Sequence, residues 1–460
     1  MGQILDHIID FPPEDCTVTG EQIDALRGDQ VVVVLDDDPT GTQSVHDVFI
    51  LTEWSKEDLR WAFSHEVFYI LTNSRSLDAA HAFALVSQIC ENVKSVAHEL
   101  GKSFLVVTRG DSTLRGHFQA ETSAVKQAVG QPDALTVFAP VFFEGHRVTV
   151  NNGHYIREGQ QLIPVSETPF AQDMTFGYAS SNLYEYVEEK SLYAPEEIFD
   201  LSISEIRQQT IEELAQKIFD YKSKKVLIIN ALVLADLSKA VAGILRAQQK
   251  GVQLMIRSGA SMVSTLAGIR PKALLGEQDF SVGQVGGVIV VGSYVPKTTA
   301  QLNFLTQNHP LEQIEIDVNQ LLINESEIVA QAAVKLNKAV SEGRDCVMYT
   351  SRALVSGEDG DASLSIVNQV SNGVISILNS LEETPAFVIA KGGITSSEVA
   401  TKVLGIKRAK VLGQILPGIP VWELGSETKF PQIPFIVFPG NVGEEESLGE
   451  AYKKLKPTNA

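Results

Sequence analysis

The sequence predicts an α/β protein of two domains, each with a mainly parallel sheet flanked by helices, the N-terminal one carrying a β-rich insertion. Three observations support that expectation. Short runs of Val, Ile and Leu alternate with segments of helical period along most of the chain, the pattern of parallel strands joined by helices. The 460 residues exceed one ordinary core. With 44% hydrophobic and 20% charged residues, the chain has apolar surface enough to offset the entropy of ordering it.

Residues 1–28 form an extension ahead of the first strand, VVVVL (31–35). Further strands are read at VFYIL (67–71), FLVV (104–107), VLIIN (226–230), VQLMI (252–256), GVIVV (287–291), CVMY (346–349), AFVIA (386–390) and FIVF (435–438). Several run directly into small, polar or glycine residues, positions that lie at the carboxyl ends of an open sheet, where ligands bind. The stretch 140–196 has hairpin-like alternation, turn residues and few helix formers, and reads as the insertion, with the character of a lid. Near 270–287, prolines and glycines break the periodicity, which predicts domains of 1–283 and 284–460.

A formal net charge of −20 repels nucleic-acid phosphate and anionic lipid, so neither is expected as a partner, and an anionic small substrate needs a local cluster of Arg or Lys. Cys16, Cys90 and Cys346 are odd in number and lack C-x-x-C spacing, which excludes a disulfide framework and a thiolate zinc site. The acidic start MGQILDHIIDFPPED has too short an apolar run for a signal peptide, and Asp6 stands where a myristoylation motif needs Ser or Thr. A cytoplasmic protein is expected.

The first chemical signal is the triplet Asp36-Asp37-Asp38, released from a buried strand and therefore obliged to meet solvent, a metal or donors. Strand alternation sends Asp36 and Asp38 to one side and Asp37 to the other. Thr40, Gly41 and Thr42 add hydroxyls and an open backbone at a tight turn. One aspartate capping the next helix, with the others solvated, is one reading. The other is a site for a hydroxyl that must lose a proton, for Mg²⁺, or for both. Asp36-x-Asp38-x-Thr40 also fits the nucleophile motif of haloacid-dehalogenase phosphatases, with Thr72 and Lys391 in the places of later motif residues. The acids GEDGD (357–361), which would hold its Mg²⁺, follow no strand directly; this sugar phosphatase using Asp36 and Asp38 is the alternative.

The second signal is TRGDSTLRGH (108–117), where Arg109, Asp111, Ser112, Thr113, Arg115 and His117 crowd a strand end. Two guanidinium forks with two hydroxyls make an anion clamp; the bland reading has Asp111 capping the following helix and both arginines in surface ion pairs. NSRS (73–76) adds Asn73 and Arg75 to the same cleft. The third signal is a set of glycine loops in the second half: VGS (291–293), KGGITSS (391–397), LPGIP (416–420) and FPGNVG (438–443). Gly-rich turns that open helices cradle phosphate, although each singly also fits a plain turn. The literal GKS at 101–103 lacks the first glycine of a P-loop and runs from helix to strand, so any nucleotide is held without that loop.

In combination, DDDPTGTQ, TRGDSTLRGH, GGITSSE, PGIPVWELG and FPGNVG resemble the four-carbon acid sugar kinase family from about residue 30 to about 450. The resemblance implies a sugar-acid-binding domain followed by an ATP-binding domain, and transfer of the γ-phosphoryl group to the terminal hydroxyl of threonate, erythronate or 3-oxo-tetronate. It puts Asp37, Asp38, Thr40 and Gly41 in the substrate motif, with Asp111, Ser112, Thr113 and Arg115, and assigns ATP to Ser293, Gly392, Gly393, Ile394, Thr395 and Gly440; Gly418 and Asn441 belong to the same loops. Asp37 or Asp38 is expected to deprotonate the hydroxyl, and Arg109 and Arg115 to hold the carboxylate, with Asp36, Arg75 and His117 beside the substrate; Mg²⁺ is expected with ATP, and a homodimer is what the family implies. Ser44 and Phe438 depart from the family pattern, which often has Asp and Lys there. The missing Lys motivates a further alternative, a weakly active ATP-binding sugar-acid sensor.

Overall fold

The computed structural model describes residues 3–4, 11–280, 283, 285–293, 295–352, 360–440 and 442–456. The chain divides into two compact units, Met1–Pro271 and Lys272–Ala460. The division falls at the start of the Pro/Gly-interrupted stretch whose far end the sequence marks near 284.

The strands of the first unit are β1 (Gln3–Ile4), β2 (Val31–Asp36), β3 (Val48–Leu51), β4 (Val67–Leu71), β5 (Phe104–Arg109), β6 (Leu135–Ala139), β7 (Arg147–Val150), β8 (Gly153–Glu158), β9 (Gln161–Pro164), β10 (Ile198–Leu201), β11 (Val226–Ile229) and β12 (Leu254–Ser258). Eight of them pair in the order β10-β11-β6-β12-β5-β2-β4-β3, every pair parallel. A strand covered on both faces reads as an unbroken apolar run, and β2, β4, β6 and β11 are buried throughout. Helices pack on the sheet: Val86, Cys90 and Val93 of the helix Ala79–Leu100 meet Val33, Leu35 and Val106 in the core. Asp78 caps that helix at its start and Gly101, in the left-handed region at φ 62°, ends it, which identifies the GKS tripeptide as a helix terminus.

The insertion supplies β9-β8-β7 of an antiparallel sheet, to which β1 of the N-terminal extension adds at β9, followed by short 3-10 turns and the helix Leu183–Lys190. The expected β-rich segment is therefore β-rich in its first half and turn-rich thereafter.

The second unit contains β13 (Val288–Val291), β14 (Glu312–Ile316), β15 (Cys346–Thr350), β16 (Val388–Lys391), β17 (Arg408–Leu416), β18 (Ile419–Leu424) and β19 (Pro434–Phe438). Their order is β17-β18-β19-β16-β13-β15-β14, parallel from β19 to β14 and antiparallel at β17 and β18. Ile289, Val347, Phe387, Ile436 and Leu448 belong to its core. Among the described residues no helix is long and apolar enough to cross a membrane.

Candidate functional site

Parallel register brings the strand ends of the first unit into line: Asp36 of β2 lies beside Arg109 of β5 and Leu71 of β4, and Arg109 lies beside Ser258 of β12. The strand ends at Asp36, so the alternation expected for the triplet does not continue through it. Asp37 and Asp38 both turn to Arg75, at 2.8 and 3.5 Å from its Nη2, whereas Asp36 faces Arg109 Nη1 at 3.4 Å. The physical reason is the 3-10 turn Pro39–Thr42, which Asp38 caps by accepting from the Thr40 N–H at 2.8 Å.

The three carboxyls have different states. Asp36 is wholly enclosed; burial, with the charges of Asp37 and Asp38, raises its pKa to about 8 against the pull of Arg109. It is a protonated acid at neutral pH. Gly41 lies so close to it that a β-carbon there would overlap the carboxyl. Asp38 is also opposed by burial, but Arg75 and the Thr40 donors overcome that and hold its pKa below the ordinary value. Asp37 is 2% exposed; its Oδ1 takes Arg75, and its Oδ2 has no hydrogen-bond partner among the described residues. That oxygen faces Gly116, whose φ of 124° suits glycine and whose missing β-carbon would stand 3.1 Å from it.

The loop 108–117 is held by its own charges and by the insertion. Asp111 accepts from the Thr113 hydroxyl and from Arg115 Nε at 2.7 Å. Burial opposes its ionisation, but Arg115, Arg75 and these hydrogen bonds hold it far below the usual carboxylate range. It does not cap the following helix, Phe118–Val129, whose flanking residue is His117. Leu114 is buried at φ 70°, a costly conformation for a bulky residue. Successive carbonyls beside it are fixed by buried donors: Ser112 O by His154 Nε2 (2.8 Å), Thr113 O by Tyr178 Oη (2.8 Å) and Leu114 O by Tyr186 Oη (2.7 Å). Burial lowers the His154 pKa to about 4, so its neutral ring donates through Nε2 and takes the Thr149 hydroxyl on Nδ1.

Arg115 is partly exposed; its Nη1 lies 3.7 Å from Asp173 and its guanidinium sits 4.9 Å from the Phe170 ring, both from the insertion. His117 bonds the Leu77 carbonyl and packs edge-on against Phe176. Arg109, by contrast, is 2% exposed and turned on Asp36 and Gln43. Beneath the loop, buried Arg257 pairs with buried Glu121, which also accepts from Ser74. A β-carbon on Gly110 would overlap the Arg257 guanidinium, which explains one glycine of the motif.

In the second unit, the carboxyl ends of β13, β15, β16 and β19 border a cavity of about 360 Å³. Ser293, Gly392, Gly393, Ile394, Thr395 and Gly440 all line it, opposite an apolar wall that includes Val295, Val318, Val370 and Val374. Close backbone approach explains the glycines: Gly392 has φ 120°, and a β-carbon on Gly292 would overlap the Thr395 hydroxyl. Thr298 ties the loops together, donating toward Ser293 Oγ (3.2 Å) or Gly440 O (3.1 Å). Gly418 stands outside this lining; at φ 75° it turns the β17–β18 hairpin and donates to Gln414. Asn441, and GEDGD through residue 359, lie outside the described residues.

Mg²⁺ does not fit the aspartate triplet: Asp36 is protonated and enclosed, and Asp37 and Asp38 share a guanidinium. No group of three or more His, Cys, Asp or Glu among the described residues forms a metal cage. Sequence reasoning missed His154, Tyr178, Tyr186, Arg257, Glu121 and Thr298. Arg257-Ser258-Gly259 at the end of β12 repeats the pattern of TRGD, where Arg109 ends β5, and was the available signal.

Residues 32–266 match the family of the sugar-binding N-terminal domain, and residues 288–448 that of the nucleotide-binding C-terminal domain. The chain is 24% identical over 398 residues to a D-threonate kinase of Bordetella bronchiseptica, covering 85% of this chain and 86% of that one. In fold it is similar to a Salmonella typhimurium LT2 protein provisionally labelled a tRNA synthase (TM-score 0.67, 16% identity, 93% of this chain and 100% of that one). It is also similar to Haemophilus influenzae protein HI1011 (TM-score 0.60, 16% identity, 92% and 100%). The chain belongs to the four-carbon acid sugar kinase family.

Proposed function

We propose, on the premise of that membership, that the protein is an ATP-dependent kinase, a phosphotransferase with an alcohol acceptor, acting on the terminal 4-hydroxyl of a four-carbon sugar acid of the threonate or erythronate type. The observation that carries the reading is Asp37: one oxygen is clamped by Arg75 and the other is unpartnered beside Gly116, in the segment matched as sugar-binding. A carboxylate so oriented accepts the hydroxyl proton while the hydroxyl oxygen attacks phosphorus. Asp38, occupied with its turn, positions the loop, and protonated Asp36 backs the pair without adding a third charge.

Arg115, with Ser112, Thr113 and His117 around it, is the carboxylate holder in this scheme. Arg109 is not: it is enclosed beside the protonated Asp36 with its Nη1 3.9 Å from Asp37 Oδ1, where it serves as a counter-charge to Asp37, which revises the expectation of two clamping arginines. Residues 293, 392–395 and 440 hold ATP, the apolar wall taking the base and the glycine loops the phosphates. Magnesium's part is charge neutralisation on the phosphates, to which Mg²⁺ binds with few protein ligands.

The protonated state of Asp36 opposes the phosphatase alternative, because a nucleophilic carboxylate has to be ionised. Incubating the protein with Mg-ATP and a panel of four-carbon acids tests the proposal. ADP formation that depends on one acid supports it. Binding without turnover supports a sensor, and phosphate release from a sugar phosphate without ATP supports the phosphatase.

A further inference from the structure

The cavity of the second unit is glycine-lined on one side and apolar on the other. Ile366, Val370 and Val374 recur at every fourth position of the helix Gly360–Asn379 and so share the face that borders it. Ser371 is a polar member of the same lining. Among the described lining residues one carries a charge, Glu398. It ends the short helix Gly393–Glu398, which puts it about 7 Å along that helix from the glycine loop. Its side chain is 20% exposed, open enough for a ligand to reach.

Holding a carboxylate against an apolar wall is costly unless it has partners. Glu398 has two: Ser371 Oγ donates to its Oε2, and Lys402 Nζ lies 2.8 Å from its Oε1. Each carboxylate oxygen can accept once more. The Ser371 hydroxyl directs its proton to Glu398, so its oxygen has only lone pairs left for a ligand. The polar spot in the wall is therefore acceptor-only. It suits a ligand edge that carries N–H, and it leaves a carbonyl placed there unpaired. Lys391, enclosed at the end of β16 with its pKa lowered to about 6 mainly by burial, is outside the lining. Lys297, exposed at the start of the helix Pro296–Asn308, puts positive charge on the side of the Ser293 loop.

We propose that Glu398 and Ser371 select the base of the nucleotide, accepting from the 6-amino group of adenine and rejecting a purine with a 6-carbonyl in its place. The inference rests on the nucleotide reading of this cavity and adds the residues that choose the base. The same carboxylate repels the phosphates, which lie toward the glycine loops and Lys297.

Calorimetric titration of the full chain with Mg-ATP, Mg-ITP and Mg-2′-deoxyATP tests this on wild type and E398Q. Wild type is expected to bind ATP about ten- to hundred-fold more tightly than ITP, the range for one hydrogen bond to a charged acceptor. In E398Q, whose amide both donates and accepts, the ratio should narrow to within about three-fold, with the ATP to 2′-deoxyATP ratio as in wild type. Should E398Q fail to fold, E398D, which draws the acceptor back by one methylene, makes the same comparison, with the ATP to ITP ratio again reduced. Equal wild-type affinities for ATP and ITP overturn the proposal, and so does a preference for ATP that survives the substitution. A change confined to the ATP to 2′-deoxyATP ratio would mean that Glu398 holds the ribose, which overturns it as well. A wild-type protein that binds none of the three overturns the nucleotide reading itself and the proposal with it.

Discussion

The two units build their sites from opposite materials. In the first, charged side chains lie against one another at strand ends, Asp37 and Asp38 on Arg75 and Glu121 on Arg257, with the neutral Asp36 beside Arg109. In the second, glycine backbone, hydroxyls and an apolar wall surround an open cavity. Fixed charges suit a small polar acid whose one hydroxyl must be aimed, because buried pairs do not reorganise when chemistry begins. Backbone donors and apolar walls suit a large ligand with a planar base and a long anionic tail.

The sharpest test separates the aspartates. Asp37→Asn is expected to lower kcat by about 100- to 10,000-fold, the range for losing a general base, with folding kept. Asp38→Asn, which keeps an acceptor for the Thr40 N–H, should cost far less. Steady-state kinetics with circular dichroism decides this, and equal losses would erase the distinction between base and cap.

Next in size is the pair beneath the loop. Glu121→Ala leaves Arg257 buried without its carboxylate, so urea unfolding should show a loss of about 3–5 kcal/mol in the first unit. A cost within experimental error would mean that water replaces the pair, and that this unit depends on its charges less than the contrast requires.

The third test uses a buried group from each unit, with opposite signs. Asp36 has a folded pKa of about 8, raised above the unfolded carboxylate value, so its contribution is full below about pH 4 and is lost as pH rises toward 8. Lys391 has a folded pKa of about 6, below its unfolded value near 10.5, so it penalises folding below pH 6 and the penalty fades as pH rises toward 10.5. The stability of wild type minus that of Asp36→Asn should therefore fall between pH 4 and 8. The same difference for Lys391→Met should rise between pH 6 and 10.5. Each slope is on the order of 1 kcal/mol per pH unit. Unfolding curves across that range check both, and slopes of the same sign would contradict the assignment.

The smallest effect is expected at Gly392→Ala, where a side chain at φ 120° strains the loop. ATP affinity should drop by about ten-fold, with sugar-acid binding unchanged. Parallel losses of both affinities would show that the variant perturbs more than its own loop.

The strands easiest to read in the sequence were those buried on both faces: VFYIL coincides with β4 and VVVVL with all but the last residue of β2. EQIEI of β14 was missed because it alternates on a partly exposed strand, and the β17–β18 hairpin because its antiparallel ladder does not show as continuous apolar runs. In the site, Arg75 could be named because it follows a strand directly. Tyr178 and Tyr186 could not, because they act from 65 and 72 residues downstream on carbonyls that carry no sequence mark. Gly418 was read with the phosphate loops because a glycine in a hairpin and one in a cradle look alike in one dimension.

By itself the sequence determined the α/β class, the insertion, the aspartate triplet with its basic partner loop and the glycine loops, since each rests on local periodicity or on residue types adjacent in the chain. Only the tertiary structure decided what each charge does. A carboxylate's state depends on its burial and on which guanidinium reaches it, and those are set by strand register: Asp36 became a neutral acid, Asp38 a cap, and Asp37 a carboxyl clamped by Arg75 through one oxygen, with the other unpartnered among the described residues.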